Sequence, residues 1–425
     1  MDDPAVRALR EARLALDQVV AEIQQVPGFE DFLATPTFDD VARAAGEQPL
    51  AYVAAAEHGG LALVVRGEDV THVDLPELGR EPVDTLARRY VDRYAEFRGE
   101  PGPNRAGWDA TLADTTSWLW ARLMEPLLSE LADADAVTLV PGGVLGLLPL
   151  HAAWRPDASR PAGREHALDR LAISYAPNAR SLSASRAAAR RISGHRMLAV
   201  AAPGGQGVHR HLSLAVREAE AACAAFPDKG TTLDRDLTVG TVTAAMGTAD
   251  VVHFACHAFA DPAVPLESGL ILANDQVLTV RELMGMDLRV RLALLSACET
   301  LVPGRDLPDE VVVLPTGLIQ AGAAGVIASL WAVPNLESAV LMVEFYRRWR
   351  AGGTAPAQAL REAQQWVRDT PVSGKVACYE AAAYGQDEWP PVPVADALLD
   401  ELAAAGPASG LADLVGWAAF AHVGV

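Results

Sequence analysis

The sequence predicts an α/β fold built on a mainly parallel sheet with helices on both faces. Short apolar runs alternate with amphipathic stretches over most of the chain, the order that builds crossover units. Two of these runs, Val251-Val252-His253-Phe254-Ala255 and Leu292-Ala293-Leu294-Leu295-Ser296, are almost unbroken, as strands buried on both faces are. Each run is followed by a reactive side chain, His257 and Cys298. Neighbouring parallel strands bring such ends together, where open sheets place ligands and chemistry.

In chain order, Leu9, Leu16, Val19, Val20 and Ile23 fall at helical spacing and predict a helix over 6–26, stopped by Pro27-Gly28. No period of about thirty to forty residues recurs before the first strands, so helical repeats are not expected. Strands are predicted over 50–55 and 61–65, joined by the turn Glu57-His58-Gly59-Gly60. Trp118, Trp120, Leu123 and Leu127 mark a helix, and 136–140 a strand ending at Pro141-Gly142-Gly143. The Arg-rich stretch 180–196 shifts the composition and is the expected domain boundary. A second series follows, with strands over 197–202, 251–255, 292–296 and 326–330 and a helix over 215–226. Late helices are predicted over 337–350 and from Thr354-Ala355-Pro356 onward, with Leu360, Ala363 and Val367 on one face. The Ala-, Pro- and Gly-rich span 373–410 reads as a loop with one short helix over 395–404, and 417–423 as the last strand. The expected domains are an N-terminal helical segment, 1–33, a first α/β unit, 34–190, and a second, 191–425.

A chain of 425 residues, half of them hydrophobic, can bury a large core and is not disordered. Its net charge of -20 argues against sequence-independent nucleic-acid binding and against an anionic membrane surface, and suits a basic partner. No stretch approaches the roughly eighteen unbroken apolar residues of a membrane span, and Met1-Asp2-Asp3-Pro4 does not open a signal peptide, so a cytoplasmic protein is expected. Cys223, Cys256, Cys298 and Cys378 form no CxxC pair, which indicates neither a zinc site nor a disulfide framework. No metal and no organic cofactor is expected.

A thiol and an imidazole at adjacent strand ends suit acyl transfer, because Cys attack on a carbonyl needs a base or cation to hold the thiolate. Cys256 alternates with His257 and is read as a small core residue, and His253 as a core histidine. His151, in Leu148-Pro149-Leu150-His151, lacks a paired cysteine and is read as structural. The loop after Cys298 carries Asp306, Asp309 and Glu310, which with Glu299 and Trp331 are candidate substrate-pocket residues. An acid facing the pocket would favour a cationic Lys or Arg side chain there.

These residues resemble the CHAT family, caspase-like cysteine peptidases related to separases. The matching stretches are His253-Phe254-Ala255-Cys256-His257, Ser268-Gly269-Leu270-Ile271-Leu272, Leu295-Ser296-Ala297-Cys298-Glu299-Thr300, Asp309-Glu310-Val311-Val312, Ala321-Gly322-Ala323, Ala328-Ser329-Leu330-Trp331 and Trp417-Ala418-Ala419-Phe420-Ala421-His422-Val423-Gly424. The resemblance implies two fused caspase-like units, an inactive first and an active second. The echo between Ala134-Asp135-Ala136-Val137 and Ala249-Asp250-Val251-Val252 is compatible with that. It further implies His257 as base and Cys298 as nucleophile, with the N–H groups of Cys298 and Ala258 as oxyanion donors. Relatives carry Gly where this chain has Ala258, a residue that resists positive φ. The implied function is regulated, limited proteolysis of a protein substrate in stress or defence signalling, under an activating sensor domain or partner such as helical repeats. An inactive caspase-like scaffold that binds protein is the alternative. A nucleotide-binding oxidoreductase is disfavoured, since Gly204-Gly205-Gln206-Gly207 has the wrong spacing and opens no helix.

Overall fold

The computed structural model describes residues 4–27, 29, 34–97, 104–160, 162–202, 204, 211–227, 230–235, 237–261, 264–297, 314–351, 353–406 and 410–425. Residues 1–41 and 42–425 form two compact units. In the first, the helix Pro4–Ile23 occupies the predicted stretch. Thr37 starts the next helix, its hydroxyl accepting from the Asp40 N–H while the Asp40 carboxylate accepts from the Thr37 N–H.

The second unit is built on strands β1 (Leu50–Ala56), β2 (Gly59–Arg66), β3 (Asp69–Leu75), β4 (Ala136–Pro141), β5 (Trp154–Pro156), β6 (Arg164–His166), β7 (Ala172–Tyr175) and β8 (Met197–Ala201). They are followed by β9 (Thr231–Leu233), β10 (Val251–Ala255), β11 (His257–Phe259), β12 (Gly269–Ile271), β13 (Val277–Thr279), β14 (Leu292–Ser296), β15 (Gly325–Ser329) and β16 (Phe420–Gly424). The main sheet runs β3-β2-β1-β4-β7-β16-β15-β14-β10-β8-β9. Neighbours are parallel except β3 with β2, β2 with β1, and β16 with β15. The C-terminal strand β16 therefore sits between the strands that precede residue 190 and those that follow it, and the sheet is continuous across that point.

Period-2 alternation along β8, β10 and β14 divides the core into two layers. Met197, Ala199, Val251, Leu292 and Leu294 pack with the helices Ala215–Ala224, Asn335–Tyr346 and Pro356–Asp369. Leu198, Val200, Val252, Phe254, Ala293 and Leu295 pack with Val239–Met246, Val280–Met284 and Leu314–Gln320 on the opposite face. Burial on both faces is why these strands contain so little polar sequence.

One expectation needs correction. The span 373–410 is not mainly loop, because the helices Val372–Ala383 and Val392–Ala405 fill most of it. Each follows a proline that sets the extended entry, Pro371 and Pro391, and alanine then propagates the helix. The Arg-rich stretch begins as the helix Ala179–Ala189, capped where Asn178 accepts from the Ser181 N–H and buried through Leu182 and Ser185.

A buried ion pair ties this body together. Arg368 Nη2 lies 2.8 Å from Asp169 Oδ1, with the two side chains 4% and 1% exposed. Removing one partner strands the other charge, so Arg368→Ala is expected to cost roughly 3 kcal/mol of unfolding free energy or more. Urea denaturation reads this directly, and a loss within about 0.5 kcal/mol would mean the pair carries no such weight.

Candidate active site

The strand pair β10 and β14 sets the geometry of the site. They are parallel neighbours with Val251 opposite Leu292 and Ala255 opposite Ser296, so their C-terminal ends are level. The ladder continues as the Cys256 N–H donates to the Ser296 carbonyl at 3.4 Å. At the other end Asp250 anchors β10. Burial opposes its charge, but hydrogen bonds from Arg196, Ser193 and the N–H groups of Arg196 and His195 outweigh it and hold the carboxyl at about 2. Ser329 of β15 donates to the Ala297 carbonyl at 2.6 Å and so fixes the chain just before position 298.

His257 is half-buried and opens β11, whose partner β12 places Ile271 opposite His257 and Leu270 opposite Ala258. The small sheet β11-β12-β13 thus carries the imidazole beyond the end of β10. Gly269 makes it possible, because a Cβ there would stand 2.5 Å from the Leu278 carbonyl oxygen and 2.6 Å from Val277 Cγ1. The sheet is tied to the body where Thr279 and Glu282 form a capping box at the start of Val280–Met284. Ala258 lies in extended backbone, and among the described residues positive φ outside glycine occurs only at Asn274 and Asp275. The concern raised by alanine in place of glycine therefore does not arise from its φ.

A small cleft, partly open to solvent and with room for about one water molecule, lies at the ends of β10 and β14. Its described walls include Glu218, Ala255, Cys256, Ser296, Ala297, Val333, Asn335 and Ser338. The Ser296 and Ser338 hydroxyls meet at 2.6 Å. Beneath them lies a polar cluster that sequence reasoning missed. His253 is fully buried, with Nδ1 3.0 Å from the Tyr346 hydroxyl and Nε2 3.0 Å from Glu218 Oε1. Burial raises the Tyr346 phenol well above its ordinary range, so it stays protonated. The signal for Glu218 was present: it falls on the apolar stripe of Ala215, Ala219 and Ala222, where a carboxylate is out of place.

Of the residues expected at the site, His257 and Ala258 are placed as above, whereas Cys298, Glu299, Asp306, Asp309 and Glu310 lie outside the described residues. Trp331 is fully buried, its Nε1 donating to the Val415 carbonyl and its ring edge-on to Trp108, while Val333 and Asn335 line the cleft in its stead. Cys256 is 1% exposed and packs in the layer of Phe254 and Leu295. His151 is structural, held between the Tyr175 hydroxyl and the Ala418 carbonyl. Among the described residues no group of three His, Cys, Asp or Glu is arranged to hold a metal ion, and no helix is long and apolar enough to cross a membrane.

A family model described as the CHAT domain matches residues 113–425. No curated protein matches the sequence. Among solved structures, the chain is similar to separase in the Saccharomyces cerevisiae separase–securin complex, with TM-score 0.55 and 10% identity over 91% of this chain and 30% of that one. A second structure of that complex gives TM-score 0.52 and 10% identity over 76% and 29%. Similarity to the complex of pro- and mature domains of Porphyromonas gingivalis RgpB has TM-score 0.39 and 10% identity, covering 81% of this chain and 75% of that chain. The chain thus spans less than a third of the separase chains it matches, and at this identity the likeness is one of fold.

Proposed function

Because the chain belongs to the CHAT family and shares the caspase-like α/β fold of separase, we propose that it is a cysteine endopeptidase acting through His257 and Cys298. One observation carries this reading: β10 and β14 end level as parallel neighbours, and His257 and Cys298 each follow two residues after the paired Ala255 and Ser296. His257 takes the thiol proton as the Cys298 sulfur attacks the scissile carbonyl carbon, with the N–H groups of Cys298 and Ala258 as oxyanion donors. Collapse of the tetrahedral adduct breaks the C–N bond, His257 protonates the leaving amine, and water hydrolyses the thioester. The strands before residue 191 form the inactive first unit in this reading, and a reducing, cytoplasmic setting keeps the thiol available. The test is a thiol-directed electrophilic peptide probe followed by a proteome-wide search for new N-termini. Labelling at Cys298, with neo-N-termini lost in Cys298→Ala, supports the peptidase. An unlabelled Cys298 with no new N-termini favours the protein-binding scaffold.

A protein partner controls this activity, a reading supported by the separase neighbour having been solved in complex with securin. The purified chain is expected to turn over peptides slowly until a substrate or sensor protein is added. Rapid digestion of unrelated proteins without any addition would contradict it.

A further inference from the structure

A second cleft, of about 390 Å³, opens between the helices Asn104–Leu119 and Pro356–Asp369, the strand β6 and the segment 412–417. That is the volume of a small-ligand pocket, and none of its walls belongs to the candidate active site. Alternation along β6 turns Arg164 and His166 to this side and Glu165 to the other, where Arg155 and Arg170 take up its carboxylate. Among the charged residues lining the cleft, Arg368 is neutralised by Asp169 and Asp369, and Asp109 and Asp413 share Arg105 at 2.9 and 3.5 Å. Arg164 alone has no oppositely charged partner among the described residues. Its guanidinium is held instead by stacking, with Cζ 3.9 Å from the centre of the Trp154 ring. Trp154 is fixed in turn, its Nε1 donating to the Ala113 carbonyl at 3.1 Å. Stacking engages the face of the guanidinium and leaves its N–H edge for a planar anion. Beside it the buried His166 gives Nδ1 to the Ala152 carbonyl at 3.0 Å, which leaves Nε2 of the neutral ring an acceptor.

We propose that this cleft binds a small monocarboxylate, its carboxylate forked on Arg164 and its body against Leu414 and Trp417. A single unneutralised cation matches a single negative charge. Two acids on one Arg105 oppose a dianion such as phosphate in the same space. The inference is independent of the peptidase reading.

The experiment is calorimetric titration of the full chain at about pH 7.5 with 3-phenylpropionate and hexanoate, each beside its primary amide, and with inorganic phosphate. At least one carboxylate is expected to bind with a Kd of about 1 mM or tighter, about tenfold or more better than its amide and than phosphate. Arg164→Gln should abolish the preference for carboxylate over amide, whereas Arg155→Gln, on the opposite face of the same ribbon, should keep it. Should Arg164→Gln not fold, the indole N–H resonances of Trp154 and Trp417 in the unsubstituted chain, shifted by carboxylate and not by amide, locate the binding. No carboxylate preferred over its amide, phosphate bound more tightly than both carboxylates, or a preference that survives in Arg164→Gln overturns the proposal.

Discussion

Cys298→Ala and His257→Ala are each expected to reduce peptide cleavage by on the order of a thousandfold or more, to the limit of detection. The thiol is the atom that forms the acyl bond, and alanine has nothing to replace it. Without the imidazole the thiol keeps its proton near neutral pH and the leaving amine has no acid. His257 stands half-buried at the first position of the three-residue strand β11, so its truncation is expected to leave the fold intact. The double variant should lose little more than either single one, because groups that act as a unit are strongly non-additive. Cys256→Ala is the control. That side chain packs with Phe254 and Leu295, and its truncation should cost stability rather than cleavage. Kinetics on a cleaved peptide, with thermal unfolding alongside, decide the matter. A Cys298→Ala protein that cleaves normally beside a dead Cys256→Ala would mean the nucleophile is Cys256.

The two strands that frame the candidate site were legible in the sequence because they are buried on both faces. Val251-Val252-His253-Phe254-Ala255 and Leu292-Ala293-Leu294-Leu295-Ser296 leave no room for another reading, and their observed bounds agree with the predicted ones. The short strands carried no comparable signal. β11, β12 and β13 span three residues each, too few for alternation to stand out, although they hold His257 in place. The helix Asn104–Leu119 was hidden for a different reason: it buries Thr111, Thr115 and Thr116 beside Trp108 and Leu112, so its inner face does not read as apolar. In Thr116 the hydroxyl is satisfied by the Leu112 carbonyl of the same helix, which removes the penalty that would otherwise keep it out. Glu218 escaped notice because a single residue cannot reveal which cleft its helix borders.

Acidification is expected to destabilise the folded chain steeply from about pH 6.5 downward, beginning above the range in which carboxylates titrate. Three buried histidines on the joined strands and loops of the main unit are the cause. Burial pushes His151 from 6.5 down to about 4, against the opposing pull of the Ala418 carbonyl. It pushes His166 to about 4 as well, with the nearby Arg368 charge in support, and His422 to about 3, helped by Arg291. A histidine whose folded pKa is lowered binds its proton more readily in the unfolded chain. Its contribution is therefore intact above about 6.5 and is lost as pH falls toward the folded value. At about pH 5 the loss amounts to about 2 kcal/mol for each of the three, a large share of the total for a protein of ordinary stability. The carboxylates act lower: Asp250, held at about 2 against an ordinary 3.8, begins to matter only below about pH 4. Urea unfolding at about pH 7.5, 6 and 5 separates the two ranges. A midpoint that stays level down to pH 5 would show that these imidazoles take up protons in the folded chain as easily as in the unfolded one, and hence that their burial is not maintained in solution.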